Sequence, residues 1–250
     1  MSHKDESEQI RLNKYIAQCG ICSRRDADKI IEEGRVSING QEAQAGSKVN
    51  PGDVVKIDGK RIKLVTDTKV YAYYKPEGVV CTQRDAHAKR TVASEVKTPV
   101  KVNYAGRLDA NSSGLLILSN DGELINSMMK SSNNHEKEYV VRVDKEVNGA
   151  FLRQMAGGVY IEDLDVTTKR CKVVKTGRNS FRIILTQGLN RQIRRMCKAL
   201  GYNVRELMRI RVLNVELGDM KPGEVREVTG RELYSLYSKC GLRRDNKGEA

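Results

Sequence analysis

Histidine is scarce in this chain: three in 250 residues, His3, His87 and His135, none close to another in sequence. That leaves little for a Ser–His or Cys–His nucleophile and nothing for a metal centre built on clustered His and Cys. Six cysteines (Cys19, Cys22, Cys81, Cys171, Cys197, Cys240) are scattered rather than framed. A chain of this length does not need disulfides, so they read as reduced thiols. Cys19-Gly-Ile-Cys22 has C-x-x-C spacing, but no second Cys or His pair lies nearby to complete four zinc ligands. Small apolar residues around a helix–helix turn is the better reading of it. No apolar run approaches the roughly 20 residues of a membrane span. The charged start MSHKDESEQ lacks the apolar core of a signal peptide. A phosphate-gripping G-x-x-x-x-G-K-[ST] loop is also missing. These absences point to a cytoplasmic chain with no membrane partner, no metal and no cofactor, taken here as a monomer.

Acids are the minority charge, 32 against 45 Lys and Arg, for a net +13. Such a balance argues for a polyanionic partner, most often nucleic acid, because neutralised phosphates release condensed counterions. The excess is concentrated. Between Arg178 and Arg211 stand nine basic residues (Arg178, Arg182, Arg191, Arg194, Arg195, Lys198, Arg205, Arg209, Arg211) and one acid, Glu206. A solvated helix face normally interleaves its signs, so this run predicts a phosphate-facing cleft or patch.

The chain divides by pattern. Residues 1–9 read as a disordered tail. Over 10–59, Leu12, Tyr15 and Ile16 share one helical face that Gly20 ends. Ser23-Arg24-Arg25-Asp26 reads as a capping box, with Ser23 as N-cap and the Asp26 carboxylate reaching back. Ala27, Ile30 and Ile31 form the inner stripe of the second helix. Val36-Ser-Ile38 alternates as a strand, Asn39-Gly40 is a hairpin turn, and Pro51-Gly52-Asp53 and Asp58-Gly59 bracket another strand. Residues 60–69 are polar and predict a linker. From 70 to 241, strands alternate with short helices without a regular βαβ rhythm, which favours an α+β domain. Strands are expected at Val70–Tyr74, Leu115–Leu118, Tyr139–Val143 and Ser180–Leu185, and a helix at Leu189–Leu200. Residues 242–250 read as a flexible tail.

What remains after these exclusions is carboxylate chemistry in a basic setting. In AGRLDANSSGLLILSNDG, Asp109 occupies a polar turn before the apolar run Leu115–Leu118, close to Arg107. A carboxylate near a guanidinium stays charged and is usable as a nucleophile or base. On the residues alone, an aspartate at a turn is more often a structural cap.

Several motifs carry a resemblance. RLNKYIAQCGICSRRDADKIIEEGRVSINGQ followed by VNPGDVVKI is similar to the S4 RNA-binding domain. GRLDANSSGLLILSNDG resembles the catalytic motif of the pseudouridine synthases, and its aspartate corresponds to Asp109. YKPEGVV at Tyr74–Val80 is similar to that family's lysine–proline motif. Lys137-Glu138-Tyr139 resembles its tyrosine segment, and GLNRQIRRM at Gly188–Met196 the motif supplying an arginine partner for the aspartate. Together they resemble the S4-bearing ribosomal RNA pseudouridine synthases over about residues 10–240, with most likeness to large-subunit (23S) enzymes of the peptidyl-transferase region.

The resemblance implies a catalytic domain with a mixed, mostly antiparallel sheet flanked by helices and loops. It implies that uridine in RNA is isomerised to pseudouridine after the base is flipped out of its stack. It assigns Asp109 to attack on ribose or base or to removal of a ribose proton, with the choice open. Arg194 becomes the ion-pair partner of Asp109, with neighbours Arg191 and Arg195 alternatives for that role. Tyr139 stacks on the flipped base and assists proton loss from carbon. Arg107 fills the vacated space or grips a phosphate, Leu213 forms an apolar wall against the base, and Lys75-Pro76 shapes the sheet. In the S4-like module Lys14, Arg24 and Arg25 meet phosphates and fix register. Ribosomal RNA is the implied partner, with 16S rRNA or a tRNA anticodon stem as alternatives. Rivals of other classes are a non-catalytic ribosome assembly factor and a nucleoside hydrolase, the latter lacking an obvious second carboxylate.

Overall fold

The computed structural model describes residues 9–65, 67–82 and 89–243. The chain divides into two compact units, with the boundary between Thr68 and Lys69.

In the first unit, helices Leu12–Gln18 and Arg24–Glu32 pack through Leu12, Ile16, Ala27 and Ile31, the apolar stripes the sequence lays on one face of each. Ser23 caps the second helix by accepting from the Asp26 N–H at 3.2 Å, and its hydroxyl donates to the Asp26 carboxylate at 2.7 Å. Asn13 ties the helices together through Asp28 at 2.8 Å. A four-stranded antiparallel sheet follows, built from Val36–Ile38, Gln41–Glu42, Val55–Ile57 and Lys60–Arg61. Asn39 and Gly40, with φ of 53° and 86°, make the first hairpin turn in the backbone form whose twist matches the strands.

The expected linker at 60–69 is corrected by that sheet. Lys60–Arg61 is its edge strand, Ile62 is buried in the core, and the Val65 N–H bonds Gln18 O. One alternating apolar residue in a charged stretch was enough to hold the segment to the unit.

The second unit is built on a nine-stranded mixed sheet. Across it run Lys172–Gly177, Ser180–Leu185, Lys137–Val143, Val204–Val212, Ser113–Ser119, Val70–Lys75 and Val225–Glu227, in that order. Asn103–Ala105 adds beside Ser113–Ser119, and Val215–Glu216 beside Val204–Val212. All pairings are antiparallel except that of Val204–Val212 with Ser113–Ser119.

Alternation along Val70–Lys75 and Ser113–Ser119 divides the core. Val70, Ala72, Leu115 and Ile117 face helices Gly122–Met129 and Gly230–Lys239 through Leu124, Met128, Leu233 and Leu236. Tyr71, Tyr73, Leu116 and Leu118 face the other way, onto Val79, Cys81 and Leu108. A further cluster joins Val141, Val143, Phe181 and Ile183 to helices Gly149–Gly157 and Gln192–Ala199. Tyr139 packs against both of these last two clusters and so marks the seam between them. Of the two expected tails, residues 1–8 and 244–250 lie outside the described residues. Leu242 does not behave as tail: its N–H bonds Tyr237 O and its side chain packs on the core.

Candidate active site

Asp109 sits in a loop pinned at several points. Ahead of it, Leu108 is buried and its N–H donates to Cys81 Sγ at 3.5 Å. Behind it, Ser112 N–H bonds Asp109 O at 3.1 Å, closing the turn, and Gly78 N–H donates to Ala110 O at 2.7 Å. The last bond ties the Lys75-Pro76 turn to the Asp109 loop. Lys75 itself is 0 % exposed; its Nζ donates to Pro76 O and Val79 O, each at 2.8 Å. Burial pushes the Lys75 pKa below the usual lysine value, while the charges of Cys81, Glu77 and Asp109 push it back up.

The partner of Asp109 is Arg191. Its Nη1 lies 3.4 Å from Asp109 Oδ2 and 3.5 Å from Asn111 Oδ1. Arg191 caps the helix Gln192–Ala199 in the left-handed region, φ 51° and ψ 34°, a conformation that costs a non-glycine residue on the order of 1 kcal/mol or more. The Asp109 side chain keeps 35 % of its surface and that of Arg191 42 %. A pair so open contributes about 0–1 kcal/mol to stability.

Arg194, the residue expected in that role, has a different one. Its Nη2 donates to Asn111 O at 2.6 Å and Ser112 Oγ at 3.3 Å, and its Nη1 to Val204 O at 3.3 Å. Arg194 Nε is buried with no hydrogen-bond partner among the described residues. Burial lowers its pKa, Arg191 lowers it further, and Asp109 and Glu77 oppose both. One helical turn separates the two arginines' duties: Arg191 meets the carboxylate, and Arg194 grips the backbone that carries it.

Arg195 ion-pairs with Asp163 and takes no part at Asp109. Arg107 is exposed beside Asp109, and Tyr139 is half-buried at the seam. Leu213, expected as a wall against the base, is instead 7 % exposed in the cluster on the opposite face, with Ala72, Leu115 and Tyr237. Its φ of 55° turns the chain between two paired strands, and its side chain goes into the core there. In the first unit Arg24 and Arg25 are exposed and Lys14 half-buried.

The basic run is dispersed rather than gathered into one patch. Arg178 pairs with Glu146, Arg182 with Glu138, and Arg211 with both Glu136 and Glu138. Arg209 is 2 % exposed. Asn111 and Ser112 were not foreseen, and Arg209 only as a member of the basic run; the signal for its burial is a lone cation set inside the apolar run Leu207-Met208-Arg209-Ile210. Among the described residues no group of His, Cys, Asp and Glu could hold a metal ion, and no helix is long and apolar enough to cross a membrane.

A mixed sheet with an S4-like module before it and an aspartate–arginine pair at the mouth of its central strands defines a class of RNA-modifying enzyme. The family described as RNA pseudouridylate synthase matches residues 69–199, and the S4 domain matches residues 10–55. The chain belongs to the RNA pseudouridylate synthases. It is similar to the dual-specificity RNA pseudouridine synthase RluF of Escherichia coli (strain K12), 46 % identical over 230 residues that cover 91 % of this chain and 78 % of that one. It is also similar to an uncharacterized RNA pseudouridine synthase of Aquifex aeolicus (strain VF5), 35 % identical over 242 residues, 94 % of this chain and 96 % of that one. A crystal structure of a pseudouridylate synthase matches with a TM-score of 0.68 at 26 % identity, covering 91 % of this chain and 99 % of that chain.

Proposed function

We propose that this pseudouridine synthase acts on ribosomal RNA in the cytoplasm, with a stem-loop of the 23S peptidyl-transferase region as its target and Asp109 as the essential group. The observation that carries the assignment of Asp109 is its pair with Arg191 at 3.4 Å, on a loop that Arg194 and Gly78 hold in place. The net charge of +13 draws the polyanion. The target base leaves its stack at a cost of a few kcal/mol, offset by phosphate contacts. The N1–C1′ bond then breaks, the ring turns, C5 bonds to C1′, and the C5 proton is lost as N1 gains one. Asp109 acts on the sugar–base unit, Arg191 keeps it aimed, Tyr139 supports the flipped ring, and Arg107, beside the loop, contacts the RNA. Lys14, Arg24 and Arg25 serve phosphate contacts in the S4 unit.

A second target is favoured by one finding: the relative from Escherichia coli carries the description dual-specificity. A tRNA anticodon stem is the second substrate proposed on that ground. Asp109→Asn tests the chemistry: product formation is abolished while RNA affinity stays within severalfold, and retained turnover overturns the role of Asp109. Site-resolved pseudouridine mapping in cells lacking the gene tests the targets. Loss of signal confined to 16S rRNA overturns the substrate assignment.

A further inference from the structure

Three cations lie beneath the Asp109 loop. Strand register fixes the first two: Lys75 pairs with Gly114, Gly114 with Arg209, and Arg209 with Tyr139. A single row therefore crosses four strands, from the lysine–proline turn to the aromatic ring. Met208 and Ile210 pack into the opposite core, so alternation turns Arg209 toward the face of Tyr139 and Leu207. Its Nε donates to Leu115 O at 2.7 Å, while its Nη2 is buried with no hydrogen-bond partner among the described residues. No described carboxylate forms an ion pair with it. Lys137, two residues before Tyr139, is half-buried and its Nζ donates to His135 O at 3.4 Å. Burial depresses the pKa of Lys75 and of Lys137, and the charge of Arg209 presses both the same way.

A buried cation without a counterion is costly, and an apolar side chain of similar volume is commonly as stable or more so. Packing alone gives no reason for an arginine here. The reaction gives one, resting on the reading of Asp109 as the group that acts on the ribose. When the N1–C1′ bond breaks, its electron pair goes to N1 and the ring is released as the uracil anion. That anion supplies the pair for the new C5–C1′ bond, after which the C5 proton leaves, N1 takes up a proton from solvent, and the neutral product forms. Between the two bond changes the ring carries a full negative charge.

We propose that Arg209 is a positioning residue whose buried guanidinium, with Lys75 and Lys137 beside it, provides the positive potential that stabilises the detached uracil anion. It acts through the floor of the site rather than by contact. For a developing anion in general, a fixed charge at about 8 Å in a medium of intermediate dielectric changes the barrier by a factor on the order of 30. Charge fixed in place before the reaction needs no rearrangement as the anion forms.

Arg209→Gln, Arg209→Met and Arg209→Lys test this with the full chain and unmodified rRNA and tRNA transcripts, reading kcat, KM and melting temperature. The expected result is a fall of about 30-fold in kcat for Gln and Met, with KM within twofold and Met melting no lower than Gln. Lys restores kcat to within about threefold of wild type. Full activity in a folded Gln or Met variant overturns the proposal. So does a Lys variant as slow as Gln, because a purely structural arginine is replaced equally badly by either. A wild-type chain that forms no pseudouridine in any transcript overturns the underlying function instead, and the proposal with it.

Discussion

Arg191 Nη1 stands 3.4 Å from Asp109 Oδ2, joining residues 82 positions apart. Three residues further on, Arg194 bonds the carbonyl of Asn111 and reaches Val204 O instead. The two arginines therefore separate into one that faces the carboxylate and one that holds its loop.

Arg191→Gln is expected to lower kcat about 10- to 100-fold with little change in melting temperature, because the exposed pair adds at most about 1 kcal/mol to stability. Arg194→Ala is expected to cost about 2–4 kcal/mol, since it removes backbone-gripping bonds from a part-buried site. Activity assays paired with thermal unfolding check both; equal destabilisation by the two substitutions would contradict the division.

Gly114→Ala is expected to destabilise the protein by more than about 2 kcal/mol. A Cβ at Gly114 would stand 2.2 Å from Arg209 O, a backbone atom that cannot swing aside, and φ is already 106°. Denaturant unfolding of the purified variant measures it.

Tyr139→Phe keeps the ring at the seam and removes only the hydroxyl. RNA affinity is expected to hold while single-turnover product formation slows. Unchanged rates would deny the hydroxyl any part in proton loss.

The S4 unit is best removed at Thr68, because Ile62 and Val65 belong to it. Loss of residues 1–68 is expected to weaken RNA binding and flatten its salt dependence, because phosphate contacts are lost, more than it slows the chemistry on a short stem-loop. Binding isotherms at several salt concentrations, beside single-turnover rates, check the difference.

All six cysteines are free thiols. Burial pushes Cys19, Cys171 and Cys240 up to about 11 and Cys197 up to about 12. Raised pKa means less thiolate, the reactive form, at any pH below those values. At pH 8 these four are expected to resist iodoacetamide in the native protein and react on unfolding, as read by mass spectrometry. Rapid native labelling of Cys197 would contradict its placement.

Much of the fold was legible because its signals are local. The alternation of Val70–Tyr74 and Ser180–Phe181-Arg-Ile183, the helix stripe through Ile193, Met196 and Cys197, and the Asn39-Gly40 turn each lie within a few residues. The site was legible less evenly. Asp109 stands in a motif, but the choice between Arg191 and Arg194 depends on where a helix begins and on one left-handed backbone angle, which spacing does not encode. The run Arg178–Arg211 overstated a basic patch for a similar reason. Its counterions Glu136, Glu138, Glu146 and Asp163 come from segments distant in sequence. Leu213 looked like a pocket wall from its place in a motif, while strand pairing and a positive φ carry its side chain to the other face.

The left-handed start of the Gln192–Ala199 helix places an arginine where glycine would rest at ease. Arg191→Gly should then raise the melting temperature while lowering kcat about as far as Arg191→Gln does, as thermal unfolding beside activity assays would read. That outcome would make the most robust version of the molecule and the working version different sequences at this one position, a compromise between endurance and activity written into a single backbone angle.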